Sequence, residues 1–245
     1  MKAPVYLGLA LVGALACSPQ AFAAVSADEA AKLKTTLMPL GGEKAGNADG
    51  TIPAWDGGLK SSAPLKDIVY FDDPWAGEKP LFTITAQNMD QYADKLSDGT
   101  KELLKHFPDS YHVNVYKTHR TLANPQFVYD NTFKNATSAT LDGLVPKGAW
   151  GGIPFPIPQS GAEVMWNNNL RFQFPDSTHD GRGILITSTG QEVLTTNSDV
   201  SYSFPYYYEK DGAGRADTSY WQLRFDQKNP PLRAGEAVLS YFGYD

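Results

Sequence analysis

The stretch GGIPFPIPQSGAEVMWN, which runs from Gly151 to Asn167, places a stiff apolar strip directly before a helix signal. Three prolines alternate with Ile153, Phe155 and Ile157. Each proline fixes φ and lacks a backbone N–H, and each residue before a proline is held in an extended conformation. The strip is therefore extended, yet it cannot form a central strand of a sheet. Its three apolar side chains share one face, which must pack against something apolar.

The helix signal after the strip is a capping box formed by Ser160 and Glu163. We expect Trp166 to approach the strip from this helix. Two interpretations of the strip stay open. In the first it seals the protein's own core, and in the second it forms a wall or lid of a ligand cavity.

Aromatic residues are concentrated around the strip and again between residues 202 and 221. Rings of this kind usually belong to a core. A cavity lined by rings, with hydroxyl groups at its mouth, would instead suit an amphipathic ligand. On that hypothesis the candidate ligand-binding residues are Trp150, Ile153, Phe155, Ile157, Trp166, Tyr206, Tyr208 and Trp221.

The N-terminus has the pattern of a secretory signal peptide, with a positive start, the apolar run Val5–Ala16 and an A-x-A site ending at Ala23. We expect cleavage after Ala23 and a periplasmic product. Lipidation of Cys17 is the disfavoured alternative, since a lipobox normally has leucine where this chain has Ala14. Cleavage would remove the chain's single cysteine, so the mature fold would contain no disulfide.

The formal net charge is -6, and the lysines and arginines form no basic cluster. Binding to nucleic acid or to anionic lipid surfaces requires clustered positive charge. We therefore exclude nucleic acid as a partner and expect a globular protein.

Helix signals precede strand signals along the chain. A capping box at Ser26 predicts a helix ending near Pro39, the periodicity of Thr85–Phe107 predicts a second, and Asn124-Pro125 predicts a third through Phe133. The later strands are predicted as an antiparallel meander, which gives an α+β fold. They are Ile184–Thr187, Glu192–Thr196, Val200–Phe204, Tyr220–Phe225 and Ala237–Phe242.

Motifs for catalysis, cofactors and metals are missing from the sequence. There is no G-x-S-x-G turn, no nucleotide-binding glycine loop and no histidine pair at metal-binding spacing. The segment Asn47–Thr51 resembles the start of a calcium loop, but the position that should hold the closing glutamate is Gly58. We interpret it as an Asx-turn and expect neither metal nor cofactor. A hydrolase that uses a carboxylate pair, such as Asp72 with Glu78, stays open as an alternative.

Six segments together resemble a family of Gram-negative periplasmic proteins, the domain-of-unknown-function 1329 family, which is often described as outer-membrane lipoprotein-sorting-like. They are Glu43–Trp55, Glu78–Phe82, Ile84–Met89, Tyr116–Arg120, Val128–Thr132 and Gly151–Pro158.

The resemblance implies a LolA/LolB-like fold, in which a curved antiparallel sheet forms an unclosed half-barrel with helices on its concave side. It implies no catalytic residues. Family members continue beyond residue 245, so we expect residues 24–245 to form the N-terminal part of one longer domain, incomplete as a half-barrel and with an unpaired apolar edge. The function expected is a periplasmic carrier of a lipid or other apolar molecule, accessory to an envelope transporter or outer-membrane protein. A non-catalytic assembly scaffold is a further alternative.

Overall fold

The computed structural model describes residues 24–59, 73–208 and 219–244. The predicted signal peptide and Asp72 lie outside the described residues. Contacts divide the chain into a first unit, Met1–Ala30 with Phe127–Asp245, and a second unit, Ala31–Gln126. The single domain predicted for residues 24–245 stays a prediction.

The described elements mix helices and antiparallel strands, as the sequence predicts. The helices are α1 (Ala27–Ala31), α2 (Asp98–His106), α3 (Gln126–Ser138) and α4 (Gly161–Asn169). The strands are β1 (Phe82–Ile84), β2 (Val113–Val115), β3 (Thr140–Asp142), β4 (Val145–Lys147), β5 (Asp176–Ile186), β6 (Glu192–Ser203), β7 (Trp221–Asn229) and β8 (Ala237–Phe242).

The main sheet of the first unit is a four-stranded meander in the order β5-β6-β7-β8, antiparallel throughout and not closed into a barrel. This confirms the α+β class. The two strands predicted on either side of Asn197 are one strand, β6, and the irregularity there is a register shift against β7. Among the described residues β8 pairs only with β7, and its side chains Val238, Leu239 and Tyr241 are exposed.

The two faces of this sheet differ in chemistry. Val200 lies opposite His179 and Phe225, and Trp221 lies opposite Phe242, so these residues share a face that we call the aromatic face. The other face is polar. There the Thr178 and Ser201 hydroxyls lie 3.2 Å apart, and the ion pair between Lys228 and Asp199 joins β7 to β6. Such alternation leaves one apolar side of the sheet to be covered.

Both predicted capping boxes begin helices. The Ser26 hydroxyl accepts from the Glu29 N–H at 3.2 Å, and the Ser160 hydroxyl accepts from the Glu163 N–H at 3.3 Å. Helix α1 is shorter than predicted, because a single 3₁₀ turn at Lys32–Lys34 follows it well before Pro39.

The helix predicted over residues 85–107 is wrong in its first half. The side chain of Asn88 accepts from the Thr85 N–H at 2.7 Å and donates to the Thr83 carbonyl at 3.0 Å, which closes a turn after β1. Asparagine competes with helical hydrogen bonds in this way. Helix α2 begins only at Asp98, where the Ser97 hydroxyl caps it by accepting from Thr100 N at 3.2 Å.

Candidate functional site

The proline strip is buried against α3 in the first unit. The Thr132 hydroxyl accepts from Ile153 N at 2.9 Å and donates to Val128 O at 2.7 Å. The Asn135 amide accepts from Trp150 N at 3.1 Å and donates to the Ile153 carbonyl at 3.2 Å. Polar side chains of α3 thus satisfy the backbone groups that a proline-rich segment cannot pair in a sheet.

Phe155 lies inside the core rather than at its edge. Its side chain is 7% exposed and belongs to a cluster with Ala139 and Leu141, against which Trp166 packs. The Asn167 side chain accepts from Phe155 N at 2.9 Å and donates to Phe155 O at 2.6 Å. Of the two interpretations of the strip, this geometry favours the core seal.

Two neighbouring buried tyrosines, Tyr206 and Tyr207, stabilise the same core through hydrogen bonds to backbone carbonyls. Tyr206 is 1% exposed, and its hydroxyl donates to the Gly152 carbonyl at 2.6 Å. The Tyr207 hydroxyl donates to the Leu170 carbonyl at 2.5 Å. Burial raises the pKa of Tyr206 well above its ordinary value, and burial also raises the pKa of Tyr207. Tyr208 lies nearer the surface, where its hydroxyl donates to the Asp176 carboxylate at 2.5 Å.

These two buried phenols predict a loss of stability in alkali. Above the ordinary tyrosine pKa of about 10 the unfolded chain releases both protons while the folded chain keeps them, so the free energy of unfolding falls as pH rises. The contribution of each phenol approaches about 1.4 kcal/mol per pH unit well above pH 10, where the unfolded phenol is fully ionised. Urea unfolding between pH 9 and 11 measures the slope. Tyr206→Phe should reduce the total fall over this range by about 1.4 kcal/mol, and an unchanged fall would contradict the assignment.

A cavity of about 750 Å³ lies in the first unit between the aromatic face and the segment that follows α4. Ligand pockets commonly have volumes of this size. Of the sequence-predicted site residues, Trp221 lines this cavity, and the other seven are not among its lining residues. The lining consists of Asn169, Arg171, Gln173, Phe174, Ser177, His179, Gly181, Val200, Tyr202, Phe204, Tyr220, Trp221 and Phe242.

Stacked rings form the wall of the cavity. The Trp221 indole stacks on Phe242 with ring centroids 4.1 Å apart, and Phe204 and Tyr202 lie nearly parallel to it at 6.0 Å. The Trp221 indole N–H is buried and has no hydrogen-bond partner among the described residues. An unpaired buried donor carries an energetic cost. This wall is therefore mainly apolar, and its polar groups include the Trp221 indole N–H and the Tyr202 hydroxyl.

Phe174 lines the same cavity from a strained backbone position. Its φ is 101°, a region that bulky residues rarely adopt, and its side chain is 64% exposed. The conformation is held from the sheet side, since Phe204 N donates to the Pro175 carbonyl at 2.7 Å. Strain of this kind costs on the order of 1–3 kcal/mol and is concentrated at functional sites. It marks this rim as a candidate for function.

Among the described residues, the polar part of the lining contains no carboxylate. Arg171 and His179 contribute the basic groups, and neutral side chains such as Gln173 and Ser177 contribute the rest. His179 Nε2 lies 3.1 Å from the Ser177 hydroxyl, and its ring meets Tyr202 edge-on. None of these residues is among the site residues predicted from the sequence. The two-residue spacing of Val200, Tyr202 and Phe204 signals a shared face, whereas no local signal singles out Arg171 or Phe174.

In the second unit, Arg120 stabilises the conformation of a loop. Its guanidinium donates to the carbonyls of Glu43, Lys44 and Pro53, the first at 2.5 Å. The loop itself is the expected Asx-turn, in which the Asp49 carboxylate accepts from Thr51 N at 3.0 Å and from the Thr51 hydroxyl at 2.7 Å. The Thr51 hydroxyl, as the main cause, lowers the pKa of Asp49.

Glu78, the described member of the suggested carboxylate pair, contacts a histidine. Its carboxylate lies 2.8 Å from His119 Nε2, and the Trp75 ring stacks on His119 at 4.2 Å. Within the described ranges no group of three His, Cys, Asp or Glu side chains is placed to hold a metal ion.

A family model described as "Protein of unknown function (DUF1329)" matches residues 83–245. The chain belongs to this family. It is also 54% identical over 159 residues to the uncharacterized protein PA3922 of Pseudomonas aeruginosa. That alignment covers 63% of the chain and 34% of PA3922, so this DUF1329 chain spans about a third of the length of the curated relative. No solved structure matches it.

The DUF1329 match includes both sides of the cavity. The segment after α4 and all four strands of the main sheet fall within residues 83–245. The Asn47–Thr51 turn precedes the matched region. Among the helices that the structure describes, none is long and apolar enough to cross a bilayer.

Proposed function

We propose that this DUF1329 chain binds a lipid or another apolar molecule in the cavity against the aromatic face. The observation that supports the proposal most strongly is the stack of Trp221 on Phe242, which forms one wall of a space of about 750 Å³. Rings give a large apolar contact area and restrict how a ligand can lie, which suits an alkyl chain or a fused-ring molecule. Binding sites are typically such apolar concavities with a few polar groups at one end.

The strained residue at the rim adds to the proposal. Phe174 has a φ of 101° and a side chain that is 64% exposed, although its ring meets Phe172 at a centroid distance of 5.7 Å. If a ligand covers the ring, the burial of apolar surface offsets the strain. The bound ligand would then stabilise the strained conformation of Phe174.

The proposal also includes where the protein acts and which proteins it acts with. A periplasmic carrier with a LolA/LolB-like half-barrel would hold its cargo against one face of an open sheet, and the cavity against the aromatic face supports this part of the proposal. The export pattern before Ala23 and the family resemblance support the periplasm, and they support an accessory role beside an envelope transporter or outer-membrane protein. Fold and family analogy carry this part of the proposal.

Replacing Trp221 by alanine tests the site directly. The variant should bind N-phenyl-1-naphthylamine, a neutral apolar fluorophore, about tenfold more weakly, because the largest ring of the wall is lost. Fluorescence titration measures the affinity, and circular dichroism confirms that the variant is folded. Trp75→Ala, which removes a tryptophan stacked on His119 in the second unit, is the matched control and should bind like the wild type. Equal affinity in the two variants, or no binding by the wild type, contradicts the proposed function.

A further inference from the structure

We propose that the ligand of this cavity is an amphiphile with an anionic head group, a carboxylate or a phosphate, and that Arg171 binds this group at the rim. The inference rests on the proposed function, because it adds a head group to an apolar ligand in the same cavity. It starts from an asymmetry in the lining. Rings and Val200 form one part, and the other part contains Arg171, which has no ion pair with any described residue.

The carboxylates of the neighbouring strands are engaged elsewhere. Asp180 and Asp199 pair with Arg182 and Lys228, at 3.4 Å and 2.5 Å, on the polar face of the sheet. On the same face Asp226 pairs with Arg224 at 2.7 Å. Asp176, next to the lining residue Ser177, accepts the Tyr208 hydroxyl. Among the described residues these acids are turned to the opposite face, so none of them compensates the positive charge at the rim of the cavity.

Arg171 is held in place by contacts that leave most of its donors available. Its Nη1 donates to the Asn168 carbonyl at 2.7 Å and to the Asn168 side-chain oxygen at 3.3 Å, both in the last turn of α4. In the part of the chain that the structure describes, it makes no ion pair and its Nε and Nη2 have no hydrogen-bond partner. A guanidinium has five N–H donors in a planar fork that fits a carboxylate or phosphate through two parallel bonds.

Neutral donors beside Arg171 suit the same group. Asn169 and Gln173 flank the arginine along the chain, and Ser177 comes from β5. Amide and hydroxyl groups can complete the hydrogen bonds of a head group whose charge the guanidinium compensates. The geometry thus combines a cation and neutral donors with a ring-lined wall, and a neutral wax or hydrocarbon would leave the polar part unused.

A pair of probes that differ only in charge tests this inference. cis-Parinaric acid and its methyl ester share one fluorescent tail, and the wild type should bind the acid more tightly. Arg171→Gln should weaken binding of the acid about tenfold and change binding of the ester less than twofold, since a charge-assisted hydrogen bond is lost only with the acid. Arg182→Gln is the matched control: it removes the same charge from the polar face, where Arg182 pairs with Asp180, and should leave both affinities unchanged.

Competition separates the two sources of the anionic group. Dodecanoate and monododecyl phosphate are titrated against the bound ester probe, with dodecanol as the neutral reference, and the anion that displaces it at the lower concentration identifies the preferred head group. If the wild type binds acid and ester equally and Arg171→Gln changes neither, the head-group inference is overturned while the proposed function stands. If neither probe binds the wild type, the proposed function itself has failed. A loss of ester binding in Arg171→Gln would show that the arginine only holds the end of α4, and this too overturns the inference.

Discussion

Gly152→Ala should destabilise the first unit by about 3 kcal/mol, because the site has no room for a methyl group. A Cβ at this position would lie 2.5 Å from Thr132 N, 2.7 Å from the Thr132 hydroxyl and 2.8 Å from Val128 O. Two of these atoms belong to the backbone of α3, so no side-chain rotation relieves the clash. The strip would have to move away from the helix. Urea unfolding followed by circular dichroism measures the change in the free energy of unfolding.

The movement would have a second cost at the same place. Thr132 also accepts the Ile153 N–H, and Gly152 O accepts the buried Tyr206 hydroxyl. A displaced strip leaves these buried groups without partners, and each such loss costs about 1–3 kcal/mol.

Gly161→Ala is the matched control for this substitution. Gly161 is the first residue of α4, and a Cβ there would meet no heavy atom within 4 Å. Alanine restricts the unfolded chain more than glycine and favours a helix, so the control should be as stable as the wild type or up to about 1 kcal/mol more stable. If both alanine variants unfold at the wild-type urea concentration, the close approach of the strip to α3 is wrong.

The parts of the fold that the sequence predicts best depend on local interactions. The capping boxes at Ser26 and Ser160 act within four residues, and both begin helices where expected. Strand alternation from Val200 to Phe204 is also local, and it predicts the meander. The helix predicted from Thr85 failed in its first half because the periodicity of apolar residues carries no information on the hydrogen bonds that Asn88 makes to its neighbours.

The candidate site was harder to predict because its two sides come from different kinds of structure. Trp221 lies on a strand, where alternation marks the face that it shares with Phe242. Arg171 and Phe174 lie in an irregular segment, and tertiary contacts such as that between Phe204 N and Pro175 O fix their positions. The alternation of prolines and apolar residues predicts that the proline strip faces an apolar interior, and Phe155 is buried there. Burial of a ring does not distinguish a core from a cavity until the partners are known.

Phe155→Ala should lower the free energy of unfolding by about 3–5 kcal/mol, which is the usual cost of deleting a buried ring. The ring packs with Ala139 and Leu141, and the Asn167 side chain brackets its backbone on both sides, so the neighbours have little freedom to fill the space. Phe155 does not line the cavity. The affinity of the folded variant for N-phenyl-1-naphthylamine should therefore stay within about twofold of the wild type, a change of less than about 0.5 kcal/mol.

Comparison with Trp221→Ala makes the result decisive, since the two variants should show opposite patterns. Loss of the indole should weaken binding of the probe and lower the free energy of unfolding by less than loss of the Phe155 ring does. The reason is that Trp221 is half-buried beside the cavity rather than enclosed. Losing the Phe155 ring should cost stability and leave binding intact. Urea unfolding and probe titration on both proteins at one temperature give the four numbers required. If Phe155→Ala is as stable as the wild type but no longer binds the probe, the strip is a wall of the ligand site, and its assignment to the core is wrong.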